Sequence, residues 1–162
     1  MLWFVKVCWP SVRQSFPNAQ FTIAGMNPTD EIKSLNGKDG IEVTGFVDEI
    51  LPYFHRADAF VAPFRLARGV QNKVLQAAAC ALPIVTTSMG AEGIHFDNKE
   101  TMWIEDNAED FAKACIDAVS ASSIDSLSAA NPSKAQLSYE AIRLEYSWEQ
   151  KLLPLKEALE QL

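Results

Sequence analysis

Ala59-Phe60-Val61-Ala62-Pro63-Phe64-Arg65-Leu66-Ala67-Arg68-Gly69-Val70-Gln71-Asn72-Lys73-Val74-Leu75-Gln76-Ala77-Ala78-Ala79-Cys80-Ala81-Leu82-Pro83-Ile84-Val85-Thr86-Thr87 is the stretch whose reading decides the fold. Residues 59–62 are apolar on both faces, as a strand buried inside a sheet must be. Residues 70–81 are rich in alanine, the best helix former, so a helix follows the loop. Residues 83–87 form a second buried strand. A strand, a helix and another strand joined in this way make a parallel pair.

The same alternation extends in both directions. Toward the N-terminus the pattern predicts a helix over 48–56, a strand over 41–44, a short helix over 30–35 and a strand over 20–24. Thr29-Asp30 supplies a helix start with acids in the first turn. Leu2, Val5, Cys8, Trp9 and Val12 recur at helical spacing, so 2–16 reads as a helix. Toward the C-terminus a loop over 88–93 precedes a strand over 101–104. A helix over 107–120 follows, with Phe111, Cys115, Ile116 and Val119 on one face. Helices over 133–146 and 148–162 close the chain, and the Ser- and Ala-rich stretch 120–132 joins helices rather than domains.

These elements predict an α/β fold, a Rossmann-like parallel sheet in three layers, as a single domain over 1–162. A doubly wound domain normally begins with the strand at the middle of its sheet. Here a helix comes first, so the first central strand is expected to be missing or its slot otherwise filled. Unpaired backbone at such a slot favours self-association through an exposed sheet edge.

The composition narrows the function. The 162 residues carry 14 Lys+Arg and 21 Asp+Glu, a net charge of −7, which disfavours a general nucleic-acid backbone binder. No apolar run approaches the ~18 residues that span a bilayer. Cys8, Cys80 and Cys115 are odd in number and widely spaced, so they read as small buried hydrophobes rather than a disulfide or zinc framework. The N-terminal residues lack the basic lead-in of a signal peptide, and a cytoplasmic location is expected.

Against this acidic background, residues 59–91 contain no Asp or Glu and carry Arg65, Arg68 and Lys73. Ligands of open α/β sheets bind outside the carboxyl ends of the strands. Gly69 opens a helix there, leaving the amides of Val70, Gln71 and Asn72 free beside basic side chains, which is an anion site in waiting. Gly69 has no Cβ to obstruct a phosphate, and 88–93 offers further amides and the Ser88 hydroxyl. The bland alternative is a turn glycine flanked by solvated bases.

Other chemistry is thin. His55 and His95 are 40 residues apart without neighbours at metal-ligand spacing. Ser88, in Thr86-Thr87-Ser88-Met89-Gly90, is not a nucleophile elbow. Trp3, Trp9, Trp103 and Trp148 are scattered, which suits packing better than sugar stacking. No Gly-x-Gly-x-x-Gly is present.

Several segments together resemble the donor-binding half of group 1 (family 4) glycosyltransferases. They are Val43-Thr44-Gly45-Phe46-Val47-Asp48, Tyr53, Ala57-Asp58-Ala59, Val61-Ala62-Pro63, the run Arg65 through Ala77, Leu82-Pro83-Ile84-Val85-Thr86-Thr87 and Tyr146-Ser147-Trp148-Glu149. The exopolysaccharide-type sugar transferases are the branch it is most similar to. The resemblance implies the C-terminal half of a GT-B fold and a hexosyltransferase-type enzyme. A nucleotide-diphosphate sugar would be the donor and a glycan or lipid-linked molecule the acceptor, with retained anomeric configuration and no bound metal. An acceptor-domain polypeptide would be its partner.

Carried over residue by residue, the resemblance places Gly45, Phe46 and Val47 beside the base. It places Arg68, Gly69, Val70, Gln71, Asn72 and Lys73 at the diphosphate. The second acid of the family's Glu-x7-Glu motif, which holds the ribose, falls on Gln76, and the first falls on Arg68. Gln76 offers one acceptor and an NH2 group where a carboxylate would accept twice, a loss on the order of 1–2 kcal/mol of nucleotide affinity. The catalytic residues are not identified. No Arg stands in Ala24-Gly25-Met26-Asn27-Pro28, where part of the family's basic clamp is expected. The alternative is therefore a degenerate, non-catalytic nucleotide-sugar-binding module that acts with a partner chain. A related two-domain epimerase is disfavoured by the absence of its catalytic acids and histidines.

Overall fold

A computed structural model describes residues 1–94, 98–122 and 132–147, with 152, 153, 156 and 159 beyond them. The helix expected over 2–16 is two helices, α1 (Leu2–Val7) and α2 (Trp9–Ser15), meeting at Cys8. Pro10 is the reason. It has no N–H to donate and its ring crowds the carbonyl four residues back, so the first helix ends and Pro10 occupies the first turn of the next.

The remaining elements follow the predicted order. They are β1 (Phe21–Ala24), α3 (Asp30–Lys33), β2 (Ile41–Gly45), α4 (Leu51–Arg56), β3 (Phe60–Ala62), α5 (Asn72–Ala79), β4 (Ile84–Thr86), α6 (Ser88–Ala91), α7 (Asn98–Thr101), β5 (Trp103–Ile104), α8 (Ala108–Ser122) and α9 (Lys134–Glu145). Two helical turns, α6 and α7, stand where a loop and the start of a strand were expected. The Thr87 hydroxyl accepts from the Gly90 amide and caps α6, a start signal that the loop reading overlooked. α4 begins three residues late, with Pro52 in its first turn. α9 starts at a capping box in which Ser133 and Gln136 exchange bonds. His95, Trp148, most of the 120–132 stretch and most of the final helix lie outside the described residues.

All strand pairs are parallel, as expected, but the sheet is in two pieces. β1 pairs with β2, and β3, β4 and β5 pair in that order. Among the described residues no strand joins the pieces. Helices cover both faces. One core gathers Phe4, Trp9 and Val12 of α1 and α2 with Phe21, Ile41, Val85 and Phe111. The other gathers Phe54 of α4, Val74 and Ala77 of α5, Ile84, Met102 and Ile142 of α9. β4 is wholly buried, the position a central strand takes between two helical layers.

Candidate functional site

Parallel strands present their carboxyl ends on one side, and the predicted site residues fall at the end of β2, on the loops there and in the first turns of α5. The loop from β3 to α5 is shaped by local bonds. The Phe64 amide donates to the Ala62 carbonyl at 2.9 Å, turning the chain out of β3. Gly69 lies at φ +69°, a left-handed conformation that glycine adopts without penalty. A Cβ there would meet nothing within 4 Å, so the space beside Gly69 is open. The Gln71 side-chain amide donates back to the Gly69 carbonyl at 2.8 Å.

α5 therefore starts at Asn72, later than expected, and Val70 and Gln71 belong to the loop. Gln71 stands at the cap position in extended conformation, and its side chain makes no bond to the helix amides. The first-turn amides of Asn72 and Lys73 remain available, with the positive end of the helix dipole behind them. Arg68, Asn72 and Lys73 are exposed, and neither base is in an ion pair among the described residues. Gln76 is exposed one turn after Asn72, on the same face of α5.

Two expected contributors are committed elsewhere. Arg65 donates to the Asp106 carbonyl at 3.0 Å, and its guanidinium lies 5.0 Å over the Trp3 ring. Ser88 donates its hydroxyl to Asp106 Oδ2 at 2.6 Å and its amide to Oδ1 at 3.0 Å. The sequence reading offered the Ser88 hydroxyl to a ligand; Asp106 holds it instead. The Asp106 carboxyl is drawn below its ordinary value by the Ser88 hydroxyl first and the Ser88 amide second. Burial opposes the shift, and Arg65 adds a smaller attraction.

Sequence reasoning missed the residues that set the loop spacing. The Thr87 hydroxyl donates to the Phe64 carbonyl at 2.7 Å, tying the loop after β4 to the loop after β3. Gly90 allows the close approach: a Cβ there would overlap Thr86 Oγ1 and sit 2.9 Å from Phe64 Cδ2. A Cβ on Gly93 would sit 3.1 Å from Val70 Cγ2, so Val70 packs against that glycine.

At the end of β2, Gly45 lies at φ +69° and accepts the Gly25 amide at 3.1 Å. Gly45 and Phe46 border a pocket of about 460 Å³, together with Asn27, Pro28, Lys33 and Asn36. Phe46 is 65% exposed, a free ring at the pocket rim. Lys33 and Asn36 were not singled out from sequence, and nothing in their spacing marks them. Lys73 instead reaches the margin of a larger groove between β1 and β3. Val47, Arg68, Gly69, Val70, Gln71, Asn72 and Gln76 line neither cavity. The residues expected at the base thus sit at the end of β2 in one sheet, and those expected at the diphosphate follow β3 of the other. His55 is exposed on the last turn of α4, as expected. Among the described residues no cluster of three His, Cys, Asp or Glu forms a metal site.

A family model described as glycosyl transferases group 1 matches residues 1–121. The chain belongs to this family. Solved structures share its fold. HepE from Anabaena, crystallised in complex with UDP, aligns over 97% of this chain and 45% of its own, with TM-score 0.65 and 13% identity. WaaG, a glycosyltransferase involved in lipopolysaccharide biosynthesis, aligns over 95% and 42%, with TM-score 0.63 and 16% identity. Sucrose-phosphate synthase from Thermosynechococcus elongatus aligns over 97% and 42%, with TM-score 0.68 and 16% identity. This glycosyl transferase chain spans less than half the length of each. No curated protein matches it in sequence. Its fold is accordingly the Rossmann-like C-terminal half of a GT-B glycosyltransferase, and among the described residues no helix is long and apolar enough to cross a membrane.

Proposed function

We propose that this chain is the donor-binding domain of a retaining, metal-independent glycosyltransferase. It holds a nucleotide-diphosphate sugar, whose sugar passes to a glycan or lipid-linked acceptor held by a further domain or partner chain, in the cytoplasm. One observation carries the reading. α5 opens with uncapped amides beside the open space at Gly69, between Arg68 and Lys73, in a stretch of 33 residues without an acid. That arrangement suits a diphosphate, whose charge the helix dipole and two cations offset. Phe46 offers a face for the base, and Gln76 is placed for the ribose.

Calorimetric titration with UDP and GDP tests the proposal. Binding is expected to fall at least tenfold in the R68A/K73A double variant and to weaken with salt. Unchanged binding in that variant, or no binding to either nucleotide at millimolar concentration, refutes it.

A second reading has its own support in Gln76, which offers a single acceptor where two ribose hydroxyls donate. Under that reading the domain binds weakly and serves a partner chain. Phosphate-leaving chemistry relies on positioning and charge neutralisation. With the acceptor held by a further domain or partner chain, and no Arg in 24–28, this chain alone is expected to show no sugar transfer.

A further inference from the structure

The loop from α3 to β2 closes one edge of the sheet. β2 pairs with β1 on one side, and the loop satisfies backbone groups on the other. The Ile41 amide donates to the Lys38 carbonyl at 2.8 Å, and the Ile41 carbonyl accepts the Gly37 amide at 2.8 Å. The Val43 amide donates to Asn36 Oδ1 at 2.8 Å. The Asn36 side chain thus stands in for a neighbouring strand and blunts the edge.

Asn36-Gly37 is also the one Asn-Gly step in the chain. Glycine has no Cβ to shield its amide nitrogen from the preceding side chain. That nitrogen can attack Asn36 Cγ. The N–Cγ bond forms, the Cγ–NH2 bond breaks, and the NH2 group leaves with the amide proton as ammonia. Water then opens the five-membered imide at either carbonyl and returns a proton to the nitrogen. Opening at Cγ leaves aspartate. Opening at the main-chain carbonyl leaves isoaspartate, whose main chain runs through Cβ and Cγ.

The folded loop restrains both reacting groups. Ring closure removes the Gly37 proton that Ile41 holds and swings Asn36 Cγ toward the main chain, away from Val43. Once the loop opens, nothing else obstructs it. Both residues are exposed, and a Cβ on Gly37 would meet nothing within 4 Å. Asp39-Gly40, three residues on, is packed instead. The Asp39 carbonyl accepts the Trp9 indole N–H at 2.9 Å, and a Cβ on Gly40 would sit 2.6 Å from the Ala19 carbonyl oxygen.

We propose that Asn36-Gly37 is a hydrolytic deamidation site gated by its own cap on β2, and that isoaspartate formed there leaves the Val43 amide unpaired. In isoaspartate the carboxylate sits directly on Cα, one carbon shorter than the asparagine side chain, and the main chain gains a carbon before Gly37. Both bonds to β2 lose their register. Aspartate keeps the length of asparagine and still accepts from Val43. The inference stands on loop geometry and does not rest on the nucleotide reading.

The test incubates the full chain at mildly alkaline pH, folded in buffer and unfolded in guanidinium chloride. Peptide mapping follows replacement of NH2 by OH at Asn36 and isoaspartate at 36 and 39. Asn36 is expected to react at least tenfold faster in the unfolded chain, and isoaspartate at 39 to form only there. Equal rates at Asn36 in the two states overturn the gate. Amide hydrogen exchange at Val43 reads the consequence. N36A removes the acceptor without lengthening the main chain. That variant and the isoaspartyl protein, isolated by ion exchange, are expected to exchange at Val43 at least tenfold faster than wild type, whereas N36D keeps the protection. Unchanged exchange in N36A or in the isoaspartyl protein overturns the proposal, as does loss of protection in N36D.

Discussion

Ser88 and Asp106 form a two-point clasp: hydroxyl to Oδ2 at 2.6 Å and amide to Oδ1 at 3.0 Å, joining the end of β4 to the end of β5. Asp106 is largely exposed, so solvent screening limits what the clasp contributes to about 0.5–1 kcal/mol. The carboxyl is drawn below its ordinary value in the folded state. Its contribution is therefore present above the unfolded carboxylate range and disappears as pH falls through the folded value. Thermal unfolding of wild type and D106N at a series of pH values should show a wild-type advantage at pH 7 that vanishes in acid. An equal difference at every pH would contradict the clasp.

Gly90 answers to a different force. Because an added Cβ would overlap Thr86 Oγ1 and crowd Phe64, G90A should destabilise the domain by on the order of 3 kcal/mol. Thr86 is fully buried and donates to the Ala62 carbonyl at 3.1 Å, so it cannot swing aside without losing that bond. Urea denaturation measures the loss, and a stability within 0.5 kcal/mol of wild type would refute the contact.

Ala81 offers the opposite sign. The Leu82 amide donates to Ala77 and the Ala81 amide to Ala78, a Schellman end to α5, with Ala81 at φ +52°. Helices that end this way usually place glycine there, because a Cβ costs about 1 kcal/mol in that conformation. A81G is expected to gain about 0.5–1 kcal/mol in the same urea experiment, the added freedom of the unfolded glycine taking back part of the relief.

Gln76→Glu tests the ribose position. If the rest of the site is intact, a second acceptor should tighten UDP or GDP binding by tenfold or more in calorimetry. No change would place the ribose elsewhere.

Burial pushes the Cys8 thiol up to about 11 and raises Cys115 as well, with Cys8 adding to the latter. Thiolate is the reactive form, so at pH 7 neither should react with a disulfide reagent in the native state. Both should react fully in denaturant. Fast native modification of Cys115 would mean that the core between α8 and α1 opens readily.

The sequence by itself determined the alternation of strands and helices, their parallel pairing, the acid-free stretch 59–91 and the glycine that opens it. These are legible because burial on one or two faces writes a period into the chain, and because helix dipoles and left-handed turns depend on nearby residues alone. Tertiary structure decided the rest. That Asp106 holds Ser88 and that Arg65 stacks on Trp3 are relations across 18 and 62 positions, the first made where parallel strands bring their loops to one end and the second where α1 packs beside the loop after β3. That Gly45 ends a strand of one sheet while Gly69 lies in a loop of the other was equally hidden. Periodicity reports which face of an element is covered, not which element covers it.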